Sequence, residues 1–184
     1  NISNTKNEPF RVSSDKTVQV PMMSQQLECR YGSFPEMDIL ELPYIGNRLA
    51  MILILPRELQ GIRQIEAGLT GANLTKWLGQ LYEQKITVFL PRFKATYRFM
   101  LNDNLRSLGM VDAFSVNKAD FSGMDGQPGR LYISAVIHKA FIEVNEEGTT
   151  AAASSAVVMT ERSLMPRRPK SFRADHPFIF LIQE

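Results

Sequence analysis

The chain has 184 residues, of which 44% are hydrophobic and 22% are charged, a composition typical of one globular domain with its own hydrophobic core. Its formal net charge of +2 is too small to indicate nucleic acid or a membrane surface as a partner. The longest apolar run, residues 49–55, is too short to cross a bilayer and predicts a buried strand instead.

The first third of the chain has the pattern of an antiparallel β-meander. Residues 17–23 alternate in polarity, and we expect this run to stop at Pro21. Three strand-like runs follow, separated by clusters of turn-forming residues at 32–35 and 43–47. These three predicted strands cover residues 27–31, 37–42 and 49–55.

Helical periodicity dominates the middle of the chain. The apolar residues between Leu74 and Tyr82 recur with the i, i+3, i+4, i+7 spacing of one helix face. A shorter helix is expected before it, over residues 62–69. A third helical stripe contains Leu101, Leu105 and Leu108, and Gly109 is placed to end that helix.

Further strands are predicted around a polar connection at residues 115–130. Residues 85–93 are rich in β-branched and aromatic side chains, and residues 177–182 form the last predicted strand. In residues 131–144 both parities are apolar as far as Ile137, so we expect a long strand with two buried faces there. Strand runs mixed with segregated helices indicate an α+β fold.

Residues 145–165 have an unusual composition. Every residue between Gly148 and Glu161 is uncharged, and none is proline or glycine, although ordinary exposed loops are rich in those residue types. Both side-chain parities are small or apolar, which suits a strand buried inside a sheet. The alanine-rich run also favours a helix, so the residues alone leave both interpretations open.

Arg162 and Ser163 lie at the end of this uncharged stretch. A long cationic side chain fits the acidic specificity pocket of a trypsin-like protease. The bond between them is therefore a candidate cleavage site. Arg167 and Arg168 offer the same chemistry slightly later in the chain and remain alternative cleavage points.

The sequence around this segment resembles the serpin family, and the resemblance covers nearly the whole chain. Five stretches are similar to family landmarks and occur in the family's order, which makes the combination specific. They are Leu42–Tyr44, Met51–Pro56, Leu90–Phe93, His138–Ala153 and Asp175–Ile182.

The resemblance implies a serpin fold, with several mixed sheets and surrounding helices, and residues 1–184 as the C-terminal part of one serpin domain. It also implies a reactive-centre loop over residues 145–170. Counting from the hinge glycine in the family's usual way puts the reactive bond at Arg162–Ser163, similar to that of antithrombin-like serpins. The implied hinge residues are Glu146, Glu147, Gly148, Thr149, Thr150, Ala151, Ala152 and Ala153.

The function implied by the resemblance is inhibition of trypsin-like serine proteases. The protease attacks the reactive bond, forms a covalent acyl complex and is trapped when the loop inserts into the central sheet as an extra strand. A non-inhibitory serpin-fold protein, such as a carrier, storage protein or chaperone, is the alternative. The small hinge side chains favour inhibition, and no residue constellation indicates an enzyme.

The histidines and the cysteine are expected to be structural. The resemblance places His138 in a hydrogen-bonded gate where the central sheet opens, and His176 lies just before the last predicted strand. No catalytic signature surrounds Cys29. It is the one cysteine of the sequence, so the chain cannot form an internal disulfide. The sequence contains no metal-ligand motif or phosphate-binding loop, and we predict no cofactor.

Basic residues cluster after the candidate reactive bond. A heparin-like polyanion and an acidic protease surface are candidate ligands for them, and an ordinary solvated loop is the competing interpretation. The cluster contains Arg167, Arg168, Lys170 and Arg173. We predict a secreted, extracellular protein, and the N-glycosylation sequons that begin at Asn1 and Asn73 permit glycosylation if it is secreted.

A complete serpin is much longer than this chain. The resemblance therefore implies an N-terminal half as an essential partner, with most of the helices and several strands of the central sheet. The isolated 184 residues would expose unpaired strand edges and part of a core. We expect such a fragment not to inhibit on its own.

Overall fold

The computed structural model describes residues 2–146 and 170–184, and these residues form two compact units. The first unit contains the described parts of residues 1–93 and 143–184, and the second contains residues 94–142. The strands are β1 (Lys6–Arg11), β2 (Thr17–Ser33), β3 (Met37–Pro43), β4 (Ala50–Pro56), β5 (Tyr82–Pro91), β6 (Phe93–Met100), β7 (Ile137–Val144), β8 (Ser171–Arg173) and β9 (Ile179–Gln183). The helices are α1 (Ile62–Gly68), α2 (Gly71–Leu78), α3 (Asn102–Ser107) and α4 (Ser122–Asp125), with 3-10 turns at Ile2–Asn4 and Asp112–Phe114.

A sheet in the order β8-β5-β2-β3-β4-β9, with β1 also paired to β2, organises the first unit. The long strand β2 pairs with β1 through its first residues, with β5 over Met22–Tyr31 and with β3 through its last residues. All of these pairings are antiparallel, whereas β5 and β8 run parallel. The antiparallel β2-β3-β4 meander and the α+β class predicted from the sequence are both confirmed.

One cluster of the first unit's core lies between this sheet and the helices α1 and α2. Residues 51–56 of β4 are all buried, as expected for a continuous apolar strand covered on both faces. Trp77 and Leu78 of α2 pack against the cluster, so the predicted apolar helix face is confirmed. The buried members of the cluster are Met37, Ile39, Ile52, Ile54, Ile65 and Leu81.

Several boundaries in the first unit differ from the predictions, and the differences at Pro21 and Tyr82 are the most informative. Pro21 lies inside β2, opposite Asn7 of β1, and its carbonyl accepts a 2.8 Å hydrogen bond from the Arg92 amide. It is tolerated because the pairing of β2 with β5 begins only at Met22. Tyr82 was predicted on the helix face, but it begins β5 opposite Tyr31.

The second unit contains the two-stranded β6-β7 sheet and α3. The predicted helix end at Gly109 is confirmed, since this residue has a φ of +99°, a conformation that glycine adopts without strain. The predicted strand over residues 131–136 is wrong, and only Ile137–Val144 is a strand. The Asn102 side chain instead bonds to the Ser134 carbonyl and the Val136 amide.

The burial predicted for residues 131–137 is also wrong. Leu131, Tyr132 and Ile137 are 38%, 47% and 47% exposed. Within the described residues, β6 is the one strand that pairs with β7, and a two-stranded ribbon has too few neighbours to bury both faces. Apolar residues at both alternating positions of a strand show that its side chains suit burial. Whether these side chains are buried depends on the neighbouring elements.

Candidate functional site

The predicted reactive-centre loop, residues 145–170, is described only at its two ends. Asn145, Glu146 and Lys170 belong to the described residues. The other predicted hinge and reactive-bond residues lie outside them, as does Asn1, and their roles stay predictions. These residues are Glu147, Gly148, Thr149, Thr150, Ala151, Ala152, Ala153, Arg162, Ser163, Arg167 and Arg168.

The proximal end of the loop is anchored through Glu146. Strand β7 ends at Val144, which is buried, and Glu146 follows two residues later. Its carboxylate accepts a 2.6 Å hydrogen bond from the Thr5 hydroxyl and lies 3.8 Å from the Arg92 guanidinium. The pKa of Glu146 is lowered, chiefly by the Thr5 hydroxyl and also by the positive charge of Arg92. The carboxylate is thus held in its charged form.

The distal end of the loop is anchored by β8. Phe172 is fully buried opposite Val88 of β5, and the Lys170 carbonyl accepts a 3.0 Å hydrogen bond from the Thr87 amide. Burying a phenylalanine side chain contributes about 1.5–3 kcal/mol. One short strand is thereby fastened by both its backbone and its central side chain.

Lys170 continues this anchor through its side chain. Its Nζ donates to Oε1 of Gln84 at 2.8 Å and to the Tyr82 hydroxyl at 3.3 Å. The ammonium also lies 5.6 Å from the centre of the Tyr82 ring. The hydrogen bond from Lys170 lowers the pKa of Tyr82.

Arg173 makes separate contacts with the sheet. Its guanidinium lies 3.7 Å from the centre of the Phe89 ring and pairs with the Glu8 carboxylate. In the β5–β8 register Phe89 is opposite Arg173, whereas Lys170 shares the parity of the buried Phe172. Lys170 and Arg173 therefore lie on opposite faces of the sheet. Binding of a polyanion by the basic cluster stays a prediction.

The two anchors lie at different positions along β5. Glu146 contacts Arg92, just after β5, and Lys170 binds the backbone of Thr87. Five strand residues correspond to about 17 Å. The intervening residues 147–169 have a fully extended length of about 76 Å. The chain between the anchors is therefore much longer than a direct connection requires.

Most of these anchoring partners were missed by the sequence analysis. Thr5, Glu8, Tyr82 and Gln84 lie far from the loop in sequence and carry no recognisable motif. Arg92 lies within the family landmark Leu90–Phe93, and this landmark was the one sequence feature that drew attention to it. Strand pairing brings these residues to the loop ends.

His138 and Asn73 are the remaining described candidates. His138 is exposed on β7, and its ring stacks on Phe99 with centroids 6.4 Å apart; its gate role stays a prediction. Asn73 is exposed near the start of α2, where its Nδ2 donates a 2.8 Å hydrogen bond to the Gly68 carbonyl. Glycosylation would use this same nitrogen.

His176 is buried after β8, where Asp175 and the Pro56 carbonyl contact its ring, in keeping with the expected structural role. In residues 2–146 and 170–184, no three His, Cys, Asp or Glu side chains form a candidate metal site. No helix among these residues has the length and apolar character needed to span a membrane.

Comparisons with known proteins agree with the five family landmarks identified in the sequence. A family model described as Serpin (serine protease inhibitor) matches residues 1–184. Antithrombin-III from Mus musculus is 42% identical over 183 residues, which cover 98% of this chain and 39% of that protein. Serpin B6 from Macaca fascicularis is 44% identical over 186 residues, with coverages of 98% and 48%.

Solved structures are similar as well. The crystal structure of uncleaved ovalbumin matches with a TM-score of 0.79 and 33% identity, covering 100% of this chain and 49% of that chain. A tumour-suppressing serpin matches with a TM-score of 0.75 and 31% identity. The chain spans about half, or less, of the length of these relatives.

Proposed function

Because this chain belongs to the serpin family, we propose that the whole protein inhibits trypsin-like serine endopeptidases. By the whole protein we mean a full-length serpin that contains this chain together with the N-terminal half that the resemblance implies. It acts as a protease inhibitor and has no enzymatic activity of its own. The chain supplies the bait bond Arg162–Ser163, the hinge and both anchors of the reactive-centre loop.

In the proposed mechanism the serine hydroxyl of the protease attacks the Arg162 carbonyl. The peptide bond to Ser163 breaks, Ser163 leaves with a new amino group, and Arg162 remains esterified to the protease. The segment from Gly148 onward then inserts into the central sheet, carrying the protease with it. Thr149, Thr150 and the following alanines suit this step because they bring no charge into the sheet.

The proposal rests mainly on the length of the segment between the two anchors, Glu146 and β8, which is much greater than a direct connection requires. Glu146 and β8 are both fixed to the first unit by hydrogen bonds and burial. Residues 147–169 are long enough to present a peptide bond to a protease and to supply a new strand. Cleavage after Arg162 leaves the hinge side attached to Glu146, so the acylated segment keeps its proximal anchor.

Binding of a heparin-like polyanion is a secondary proposal. Lys170 and Arg173 are engaged by Tyr82, Gln84, Phe89 and Glu8, so Arg167 and Arg168 are the better candidates. The rate of inhibition with and without heparin, at low and high salt, tests this because screening weakens such contacts.

We also propose that the protein is secreted, in which case the sequons at Asn1 and Asn73 permit glycosylation. Expression of the whole protein in secretory cells, followed by treatment with a glycosidase that removes N-linked sugars, tests this. A mobility shift that disappears in an Asn73→Gln variant would identify the modified residue. Purely cytosolic accumulation with no shift would contradict the proposal.

The main test is incubation of the whole protein with a trypsin-like protease. We expect a covalent complex that survives denaturing electrophoresis, with the new amino terminus at Ser163. Arg162→Ala should greatly reduce complex formation, whereas Arg167→Ala should not. Loss of the complex only in Arg167→Ala would place the reactive bond elsewhere.

A non-inhibitory serpin-fold protein is the alternative function. It would be cleaved after Arg162 without forming a complex and without gaining heat resistance. Inhibitory insertion instead predicts a large rise in the midpoint of thermal unfolding after cleavage, because the inserted strand adds hydrogen bonds and burial.

A further inference from the structure

Tyr82 combines an exposed hydroxyl with a neighbouring cation. The residue begins β5 and is 57% exposed. Nζ of Lys170 donates a 3.3 Å hydrogen bond to its hydroxyl oxygen and lies 5.6 Å from the centre of its ring. A phenol oxygen that reagents in solvent can reach therefore has an ammonium group beside it.

The position of this ammonium group is set by strand pairing. The Lys170 carbonyl accepts a hydrogen bond from the Thr87 amide of β5, and its Nζ also donates to Oε1 of Gln84 at 2.8 Å. Tyr82 and Gln84 are two positions apart on β5, so their side chains share one face of the sheet. Because the backbone and the side chain of Lys170 both bind β5, its positive charge is held at the Tyr82 hydroxyl.

This arrangement favours the phenolate form of Tyr82. The pKa of its hydroxyl is lowered, first by the hydrogen bond from Lys170, then by a hydrogen bond with Gln84 and by the positive charge of Lys170. A lowered pKa activates an oxygen nucleophile because it increases the share of the reactive anion. The intrinsic nucleophilicity of an anion falls only about half as steeply as its population rises, so the net effect is a faster reaction.

The other tyrosines lack this combination within the described residues. Tyr31 is 6% exposed and Tyr44 is half-buried, and burial raises the pKa of both hydroxyls. Tyr97 and Tyr132 are 61% and 47% exposed. The Tyr97 ring stacks on Phe99, and no described lysine or arginine lies over its ring or bonds to its hydroxyl. Tyr97 is therefore an internal reference that is as accessible as Tyr82 but has no adjacent cation.

We propose that Tyr82 is a nucleophilic modification site that takes sulfonyl and phosphoryl groups from activated donors such as their fluorides. With a sulfonyl fluoride, the phenol proton passes to water and the phenolate oxygen forms a bond to sulfur. The sulfur–fluorine bond breaks, and fluoride leaves with the electron pair. Lys170 lies within hydrogen-bond distance of the attacking oxygen and can donate to the departing fluoride. The site lies outside the reactive-centre loop, so the proposal holds whether or not the loop is inhibitory.

The test is incubation of the whole protein with phenylmethanesulfonyl fluoride at about pH 8, followed by peptide mapping with mass spectrometry. We expect Tyr82 to gain the sulfonyl group at least about three times faster than Tyr97 in the same molecules. Tyr82→Phe should abolish this adduct and leave the labelling of Tyr97 unchanged. Equal rates at Tyr82 and Tyr97 would overturn the proposal.

Lysine variants separate activation by the cation from simple exposure of Tyr82. Lys170→Met removes the charge and the donor and should lower the Tyr82 rate to about that of Tyr97, whereas Lys170→Arg should retain most of it. Lys85→Met removes an exposed charge from the opposite face of β5 and should change nothing. About 1 M salt should slow labelling of Tyr82 but not of Tyr97, because it screens exposed charges. An unchanged Tyr82 rate in Lys170→Met, or an equal loss in Lys85→Met, would refute activation by Lys170.

Discussion

The hydroxyl of Thr5 donates a 2.6 Å hydrogen bond to the carboxylate of Glu146, although the two residues are 141 positions apart in sequence. This contact fixes the proximal end of the predicted reactive-centre loop to the segment just before β1. Arg92, directly after β5, adds a positive charge 3.8 Å from the same carboxylate. The start of the loop is thus held by elements from two distant parts of the sequence.

The first prediction concerns this anchor. Thr5→Val preserves the shape of the side chain but removes the donor, and we expect a loss of about 1 kcal/mol of stability at neutral pH. The lowered pKa of Glu146 means that the contact stabilises the protein at neutral pH and is lost on acidification through that lowered pKa. Thr5→Val should therefore lose less stability than the parent protein on acidification, measured by denaturant unfolding.

Thr75→Val, compared in protein that carries no N-linked sugar because Thr75 completes the Asn73 sequon, provides the matched control for this prediction. Thr75 also donates through its hydroxyl, but to the Gly71 carbonyl in α2 rather than to a carboxylate. Its effect on stability should not depend on pH in the acidic range. Equal acid dependence in the two variants would show that the Thr5 contact does not influence Glu146.

The second prediction concerns insertion of the hinge. Thr149→Arg should convert the whole protein from an inhibitor toward a substrate, because a charge would have to enter the sheet during insertion. Cleavage after Arg162 should continue, while the number of molecules consumed for each trapped protease rises several-fold. Thr149→Ser should behave like the parent. Undiminished trapping by Thr149→Arg would refute the insertion mechanism.

The fold was predictable from sequence where local pattern and burial agree. The strands of the β2-β3-β4 meander and the helix around Trp77 follow from apolar periodicity and turn residues. The prediction of a buried strand over residues 131–136 was wrong, because burial there requires neighbouring strands that the local sequence pattern does not reveal. The contact between Thr5 and Glu146 could not be predicted, since it arises from the pairing of distant segments.

The third prediction compares a buried and an exposed isoleucine on two neighbouring strands, β4 and β9. Ile54 of β4 is fully buried, whereas Ile182 of β9 is 49% exposed. Ile54→Ala should cost about 2–5 kcal/mol through lost burial and the cavity left behind. Ile182→Ala should cost less than about 1 kcal/mol in the same background. Similar losses, measured by denaturant unfolding, would contradict the described core.

The fourth prediction tests a close approach at the end of β2. A Cβ atom on Gly32 would lie 2.6 Å from Cδ2 of Leu81 and 2.9 Å from Cε2 of Phe34. Gly32→Ala should therefore destabilise the protein by about 1–3 kcal/mol, because both side chains must move within packed surroundings. Gly68 has no atom within 4 Å of its added Cβ.

Gly68→Ala is the matched control, since it adds the same methyl group in open space within α1. It should be neutral or stabilising by up to about 1 kcal/mol, because alanine has the higher helix propensity. Thermal or denaturant unfolding measures both variants. A greater loss of stability in Gly68→Ala than in Gly32→Ala would contradict the close approach described at Gly32.

The final prediction concerns the reactivity of Cys29. Burial raises the pKa of its thiol to about 11, and the thiolate is the form that reacts with alkylating agents. At about pH 8 only about 0.1% of such a thiol is ionised. Alkylation in the folded protein should therefore be at least about 100-fold slower than in guanidinium, where the thiol regains its ordinary pKa. Peptide mapping by mass spectrometry measures both rates, and equal rates would contradict both the burial of Cys29 and its structural role.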